Sequence, residues 1–176
     1  EKISLYTSAS KIVQPEKYTY NLLFANWTNV ASPYFEFTTN EYISNNYIYR
    51  GKYQPIPVTV YFSPDIIVEK KLSIKALMDK SKASINKTLS YFENTMGEYA
   101  FDKLLVKIYS LQEGELPLSQ EYSMEFGGAV VSRLELLPHE LCHEWFGRGA
   151  SPKDGQAGFI DELVCDWYDY NNPIKK

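Results

Sequence analysis

Apolar and polar positions alternate at short intervals through the first 62 residues. The runs TYNLLFANW, PYFEFTT, NNYIYRG and VTVYFS are dense in Tyr, Phe, Val, Ile and Thr, and Asn, Pro, Ser and Gly divide them, which predicts a series of short strands. After Ser63 the period lengthens. Ser63 can cap a helix and Pro64 fits its first turn. Ile74, Met78, Ile85, Leu89, Phe92 and Met96 then fall at three-, four- and seven-residue steps, predicting one long amphipathic helix that ends at Gly97. KLLVKIYSL at 103–111 has the apolar density of a buried strand, and EGELPLSQEY after it reads as a loop. SMEFGGAVVSRLE follows as strand. Its Gly127 and Gly128 mark either a bulge where another backbone, such as an extended peptide, comes close, or a tight bend between two strands.

Two helical segments close the chain. Pro138 suits the first turn of one and Gly147 its end. In GFIDELVCDWYDY, Phe159, Leu163 and Trp167 recur at i, i+4 and i+8, predicting a second helix that Asn171-Asn172-Pro173 closes before a frayed PIKK tail. Between them GRGASPKDGQAG is polar and glycine-rich, and can reverse the chain. The pattern as a whole is α+β: a mixed sheet packed on a long helix, with a β-rich region at 1–62 and a lobe at 63–176 in one compact unit.

Composition narrows the classes. With 176 residues, 44% hydrophobic and 15% aromatic, the chain can bury a core without staples. A net charge of -4 without a basic cluster argues against nucleic acid or an anionic membrane as the main partner, and no apolar run approaches the roughly 18 residues of a membrane span. The first residue is Glu1, which fits a processed, secreted or periplasmic form or an expressed fragment. The many tyrosines read as sheet packing rather than as a sugar- or base-stacking surface.

Chemistry concentrates between Pro138 and Cys165. His139 and His143, the two histidines of the chain, are spaced i and i+4 with Glu140 directly after the first. On a helix that spacing stacks both imidazoles on one face, so that two ring nitrogens can reach one cation. Zinc takes four tetrahedral positions, of which a catalytic site fills three from protein, so a third ligand is expected on a nearby element. Glu162, after 18 intervening residues, is the candidate, with Zn2+ as the cofactor. A structural zinc site, or a packed helix that happens to carry this pattern, is the alternative; the former would be closed by four protein ligands, often thiolates. Met78 and Met96 are packing residues, since a thioether is a poor zinc ligand beside histidine and carboxylate.

H-E-L-C-H-E-W-F-G followed by F-I-D-E resembles the gluzincin metallopeptidases, specifically the aminopeptidase N-like family, with its H-E-x-x-H-x-W-F-G and a zinc-binding glutamate 18 residues on. The resemblance implies a zincin, thermolysin-like catalytic lobe with His139, His143 and Glu162 as zinc ligands and Glu140 as general base. It implies a zinc metallopeptidase acting on peptide or protein substrates. Ser123-Met124-Glu125-Phe126 resembles the family's G-A-M-E-N segment, whose glutamate binds the substrate's free amino terminus. Glu125 is therefore a substrate-binding candidate, with Gly127 and Gly128 beside it, and would make the protein an aminopeptidase; otherwise it is an ordinary strand carboxylate.

The pattern also departs from the family. Ser123 and Phe126 stand where it has alanine and asparagine, and Glu125 lies closer to His139 than is usual. The sequence runs 14 residues past Glu162, which implies that the family's following helical subdomain, with its oxyanion-stabilising tyrosine, is absent. Tyr168 and Tyr170 sit too near Glu162 on one helix to take that role. These departures favour, as the second reading, a catalytically weak or inactive peptidase-like module that holds zinc and binds peptides. Glu144 is expected to be solvated or to orient a ligand from outside the metal site. Cys142 and Cys165, each three residues after a ligand candidate, are either two small buried side chains or a disulfide between the two helices.

Overall fold

The computed structural model describes residues 2–24, 33–110, 123–150 and 159–171. In chain order its elements are β1 (Ser4–Thr7), β2 (Lys11–Glu16), β3 (Thr19–Leu23), β4 (Phe35–Thr38), β5 (Ile43–Arg50), β6 (Pro55–Phe62), α1 (Asp65–Lys70), α2 (Ile74–Thr95), β7 (Leu104–Ile108), β8 (Met124–Phe126), β9 (Ala129–Ser132), α3 (Leu137–His143) and α4 (Ile160–Asn171). The architecture is mixed α+β. The loop expected at 113–122, most of the connector before α4, the end of TYNLLFANW and the PIKK tail lie outside the described residues.

Five strands form the main sheet in the order β5-β6-β7-β9-β8. β5 and β6 are antiparallel, β6, β7 and β9 run parallel, and β8 returns antiparallel along β9. A parallel step needs a crossover, which α1 and α2 supply between β6 and β7. β6 alternates as a half-buried strand should: Ile56, Val58, Val60 and Phe62 are buried on the helix side. Pro55 and Pro57 lack a backbone donor, and they fall before Val58, where the ladder to β7 begins. β7 is buried on both faces. Leu104, Val106 and Ile108 join the helix-side core, while Leu105 meets Tyr34 and Ala129 on the opposite face, with Tyr6 and Phe126 packed against them. Lys107, also on β7, is neutralised by Glu36 of β4 at 2.8 Å. The β1–β4 pair thus covers the face that the helices leave open.

The long helix expected from Ser63 is two helices. Lys71 adopts a left-handed backbone (φ 50°), and Ser73 starts α2 afresh by accepting a hydrogen bond from the Ala76 amide at 3.2 Å. The apolar stripe read from the sequence, Ile74 to Met96, lies wholly after the break, and the start signal at Ser63-Pro64 belongs to the short α1 alone. Leu77, Ser81, Ile85, Thr88, Leu89 and Phe92 make the buried face, whereas Ile74 and Met96 at its two ends are exposed. Gly97 (φ 117°) ends the helix as expected, its amide returning to the Phe92 carbonyl at 3.2 Å.

SMEFGGAVVSRLE is a hairpin, not one strand. Gly127 and Gly128 form the turn between β8 and β9, the second of the two arrangements their sequence allowed. Gly128 has φ 73°, a conformation that favours glycine, and a Cβ there would crowd the Lys103 carbonyl at 3.2 Å. The turn leaves β8 at the edge of the sheet, beside α3.

Candidate metal centre

α3 is short, seven residues with Pro138 in its first turn, and it ends at His143 rather than at Gly147. A compact turn takes over: the Phe146 amide still bonds the Cys142 carbonyl, and the Gly147 amide donates to the Ala150 carbonyl at 2.8 Å. Gly147 has φ 110°, and a Cβ on it would sit 2.7 Å from Asp161 Oδ2. The glycine therefore lets α4 come close to this turn. Trp145 stacks on Phe92 at 5.2 Å and donates its indole N–H to the Gly97 carbonyl at 3.1 Å, fixing the end of α3 to α2.

α4 packs against α3 and α2 through Val164, Cys165 and Tyr168, the last with its ring 4.6 Å from Phe92 of α2. The stripe whose period marked the helix in the sequence, Phe159, Leu163 and Trp167, points to solvent at 64%, 59% and 62% exposure. Two apolar phases run along this helix about 100° apart, and the docking to α2 and α3 selects the less obvious one. Cys142 and Cys165 are free thiols, both fully buried. A hydrogen bond between them, with burial, pushes the Cys165 thiol well up, so the pair behaves as small packing groups.

This docking brings His139, His143 and Glu162 together. His139 Nε2 and His143 Nε2 are 3.2 Å apart, and Glu162 Oε2 lies 3.4 Å from the first and 3.5 Å from the second. Donors held about 2.0–2.1 Å from a tetrahedral zinc lie about 3.3 Å from one another, so this triangle has the size the ion needs. The remaining ring nitrogens are occupied from behind. His143 Nδ1 faces the Phe146 carbonyl at 3.2 Å, and His139 Nδ1 faces Asp166 Oδ1 at 3.4 Å. With Nδ1–H donating to those oxygens, each Nε2 keeps its lone pair toward the centre. Sequence reasoning missed Asp166 and the Phe146 carbonyl. Asp166 stands i+4 from Glu162 on one helix face, a spacing that could have singled it out.

Glu140 is on the same helix, 5% exposed, and outside the triangle. Its carboxyl is pushed up to about 8, first by burial and then by the charges of Glu125 and Glu162, while a hydrogen bond with Ser123 works the other way. Glu125, on β8, forms a second cluster with Glu140 and His143, with donor atoms within 4.8 Å of one another. It is not an ordinary exposed strand carboxylate. Arg148 grips it, Nη2 at 2.6 Å from Oε1 and Nε donating to the Glu125 carbonyl at 3.3 Å.

Glu144 corrects an expectation. It is fully buried, not solvated, and its Oε2 accepts from the Tyr99 hydroxyl and the Gly128 amide, each at 3.1 Å. It ties α3 to the β8–β9 turn and to Tyr99 in the segment between α2 and β7. Burial holds its carboxyl well above the usual carboxylate range, and Oε1 finds no hydrogen-bond partner among the described residues. Glu144→Ala should cost about 1–3 kcal/mol, because the buried Gly128 N–H loses its acceptor. Glu144→Gln keeps both accepted bonds and removes the ionisable group. Since the raised pKa makes wild-type stability fall as pH rises above the ordinary carboxylate range, the Gln variant should gain on wild type from pH 5 to pH 8. Urea melts of metal-free protein at both pH values check this; a Gln variant that loses stability relative to wild type between pH 5 and pH 8 contradicts it.

No family model and no curated protein matches the sequence. Solved structures do match in fold. A mutant of a two-domain M1 zinc metallopeptidase bound to L-arginine aligns over 95% of this chain and 37% of its own, at 13% identity and a TM-score of 0.64. An M1 zinc metallopeptidase mutant from Deinococcus radiodurans bound to a Tyr-Ser-Ala substrate aligns over 97% and 39%, at 13% identity and 0.59. The M1 zinc metallopeptidase from the same organism aligns over 83% and 32%, at 15% identity and 0.54. The chain thus has a peptidase-like fold of the M1 zinc metallopeptidase kind, and spans about a third to two-fifths of the length of these structures.

Proposed function

We propose that this chain is a zinc-dependent metallopeptidase of the gluzincin type, hydrolysing peptide bonds with Glu140 as general base. The triangle of His139 Nε2, His143 Nε2 and Glu162 Oε2, each edge 3.2–3.5 Å, with a buried carboxyl alongside, carries the reading. In it α3 and α4 are the zinc-binding helix pair, and the three donors hold the ion. When bound, zinc supplies Lewis-acid polarisation of a peptide carbonyl and makes water acidic enough to lose a proton near neutral pH. Glu140 takes that proton and returns it to the departing amine. Its near-complete burial shields that carboxyl from bulk water, as suits a group that must hold a proton between the two steps. Asp166 and the Phe146 carbonyl keep both imidazoles oriented through Nδ1.

The peptide lies beside the edge of β8, where Glu125 would be the residue conferring aminopeptidase character, and Gly127 and Gly128 close the hairpin that presents this edge. The second reading is a catalytically weak or inactive zinc-containing module that binds peptides. One observation bears on it: Tyr168 is packed against Phe92 and Tyr170 is 85% exposed, so neither of these two tyrosines of α4 is placed as an oxyanion donor. Metal removal tests the proposal. Chelator-treated protein should cleave no peptide in a mixed library, and one equivalent of zinc should restore cleavage. Zinc uptake without cleavage supports the second reading, and no uptake refutes both.

A further inference from the structure

We infer that Arg148 occupies the place of a substrate ammonium at Glu125, so that the site takes peptides whose chain continues past this point or is blocked there, rather than free amino termini. The inference rests on the zinc-peptidase reading and specifies its substrate class. Glu125 is the carboxylate through which that reading could bind a free amine. In this chain its Oε1 is taken by the Arg148 guanidinium at 2.6 Å, and its carbonyl by Arg148 Nε at 3.3 Å.

The arginine is built into place rather than wandering on the surface. Its amide donates to the His143 carbonyl at 3.0 Å, directly following the left-handed Gly147, and the Phe146–Ala150 bridge closes the turn around it. Both side chains of the pair are mostly buried, 26% and 16% exposed, so solvent screens the interaction only weakly. A guanidinium cannot be deprotonated at working pH and presents a fixed fork of donors, so it is a permanent cation here. An ammonium brought to Glu125 would meet a carboxylate already neutralised and a like charge beside it. A backbone amide or an acyl group meets no such penalty, and a chain running on along the β8 edge carries only those.

The test measures binding, so turnover does not enter it. Zinc-loaded Glu140→Gln protein is titrated by calorimetry with trileucine amide and with its N-acetyl twin, with Arg148 intact and as Arg148→Gln. With Arg148 intact the twins should bind within about threefold of each other. In Arg148→Gln the free amine should be preferred by about tenfold or more, the worth of a hydrogen bond to a charged group. That preference should vanish when Glu125→Gln is added, and Arg148→Lys, which keeps the cation, should retain the parent ratio. A parent already favouring the free amine tenfold, a ratio that Arg148→Gln leaves unchanged, or zinc-loaded protein binding neither twin overturns the inference. If the protein takes up no zinc, the peptidase reading itself falls and the inference falls with it; zinc uptake with an unchanged ratio refutes the inference alone.

Discussion

Glu140→Gln should leave one zinc per chain and lower kcat by about two to four orders of magnitude, the usual contribution of a positioned general base. The reasoning is geometric before it is electrostatic. Glu140 is outside the triangle formed by the two Nε2 atoms and Glu162 Oε2, so exchanging it for an isosteric amide removes a proton acceptor without removing a ligand. The side chain is 5% exposed in a well-packed helix, and Gln has the same shape, so folding should not change. Metal analysis alongside steady-state kinetics on one peptide separates the possibilities. Retained turnover would remove Glu140 from the chemistry, and loss of zinc would make it a ligand instead of a base.

Glu162→Gln should weaken zinc by more than 100-fold while the helices stay in place. Loss of a residue that merely orients a ligand costs about 10–100-fold in metal affinity, and loss of one of three direct donors should cost more. α4 does not depend on the metal for its position: Cys165 and Tyr168 are buried against α2 and α3, and Gly147 admits Asp161 from the other side. Competition with a chelator of known affinity, read beside circular dichroism, gives both halves of the result. A rival donor set is available in Glu125, Glu140 and His143. If zinc binds Glu162→Gln as tightly as wild type, while Glu125→Gln loses it, the ion belongs to that second cluster and the mechanism proposed above fails.

Much of the fold was legible locally. β7 read as a fully buried strand because all five of its residues are apolar or carry a long apolar stem, and β5 and β6 read as strands from the aromatic and β-branched runs NNYIYRG and VTVYFS, while their antiparallel pairing was left to the structure. The break at Lys71 was not legible, because it rests on one left-handed residue with no glycine or proline to mark it. Nor was the buried face of α4, where Phe159, Leu163 and Trp167 are the more hydrophobic choice and face water nonetheless.

The sequence by itself determined the content of the centre. An i, i+4 pair shares a helix face whatever surrounds it, so His139 and His143 point the same way by local geometry alone, and Asp161, Glu162 and Asp166 are placed on α4 by the same rule. Only the tertiary structure decided what those faces meet. It set Glu162 opposite the imidazoles, sank Glu144 between Tyr99 and Gly128, and brought Arg148 to Glu125 from 23 residues away. Helical periodicity is a property of the backbone and can be read from spacing, whereas contacts between elements depend on which faces the whole core buries, and that is settled only when all of them pack at once.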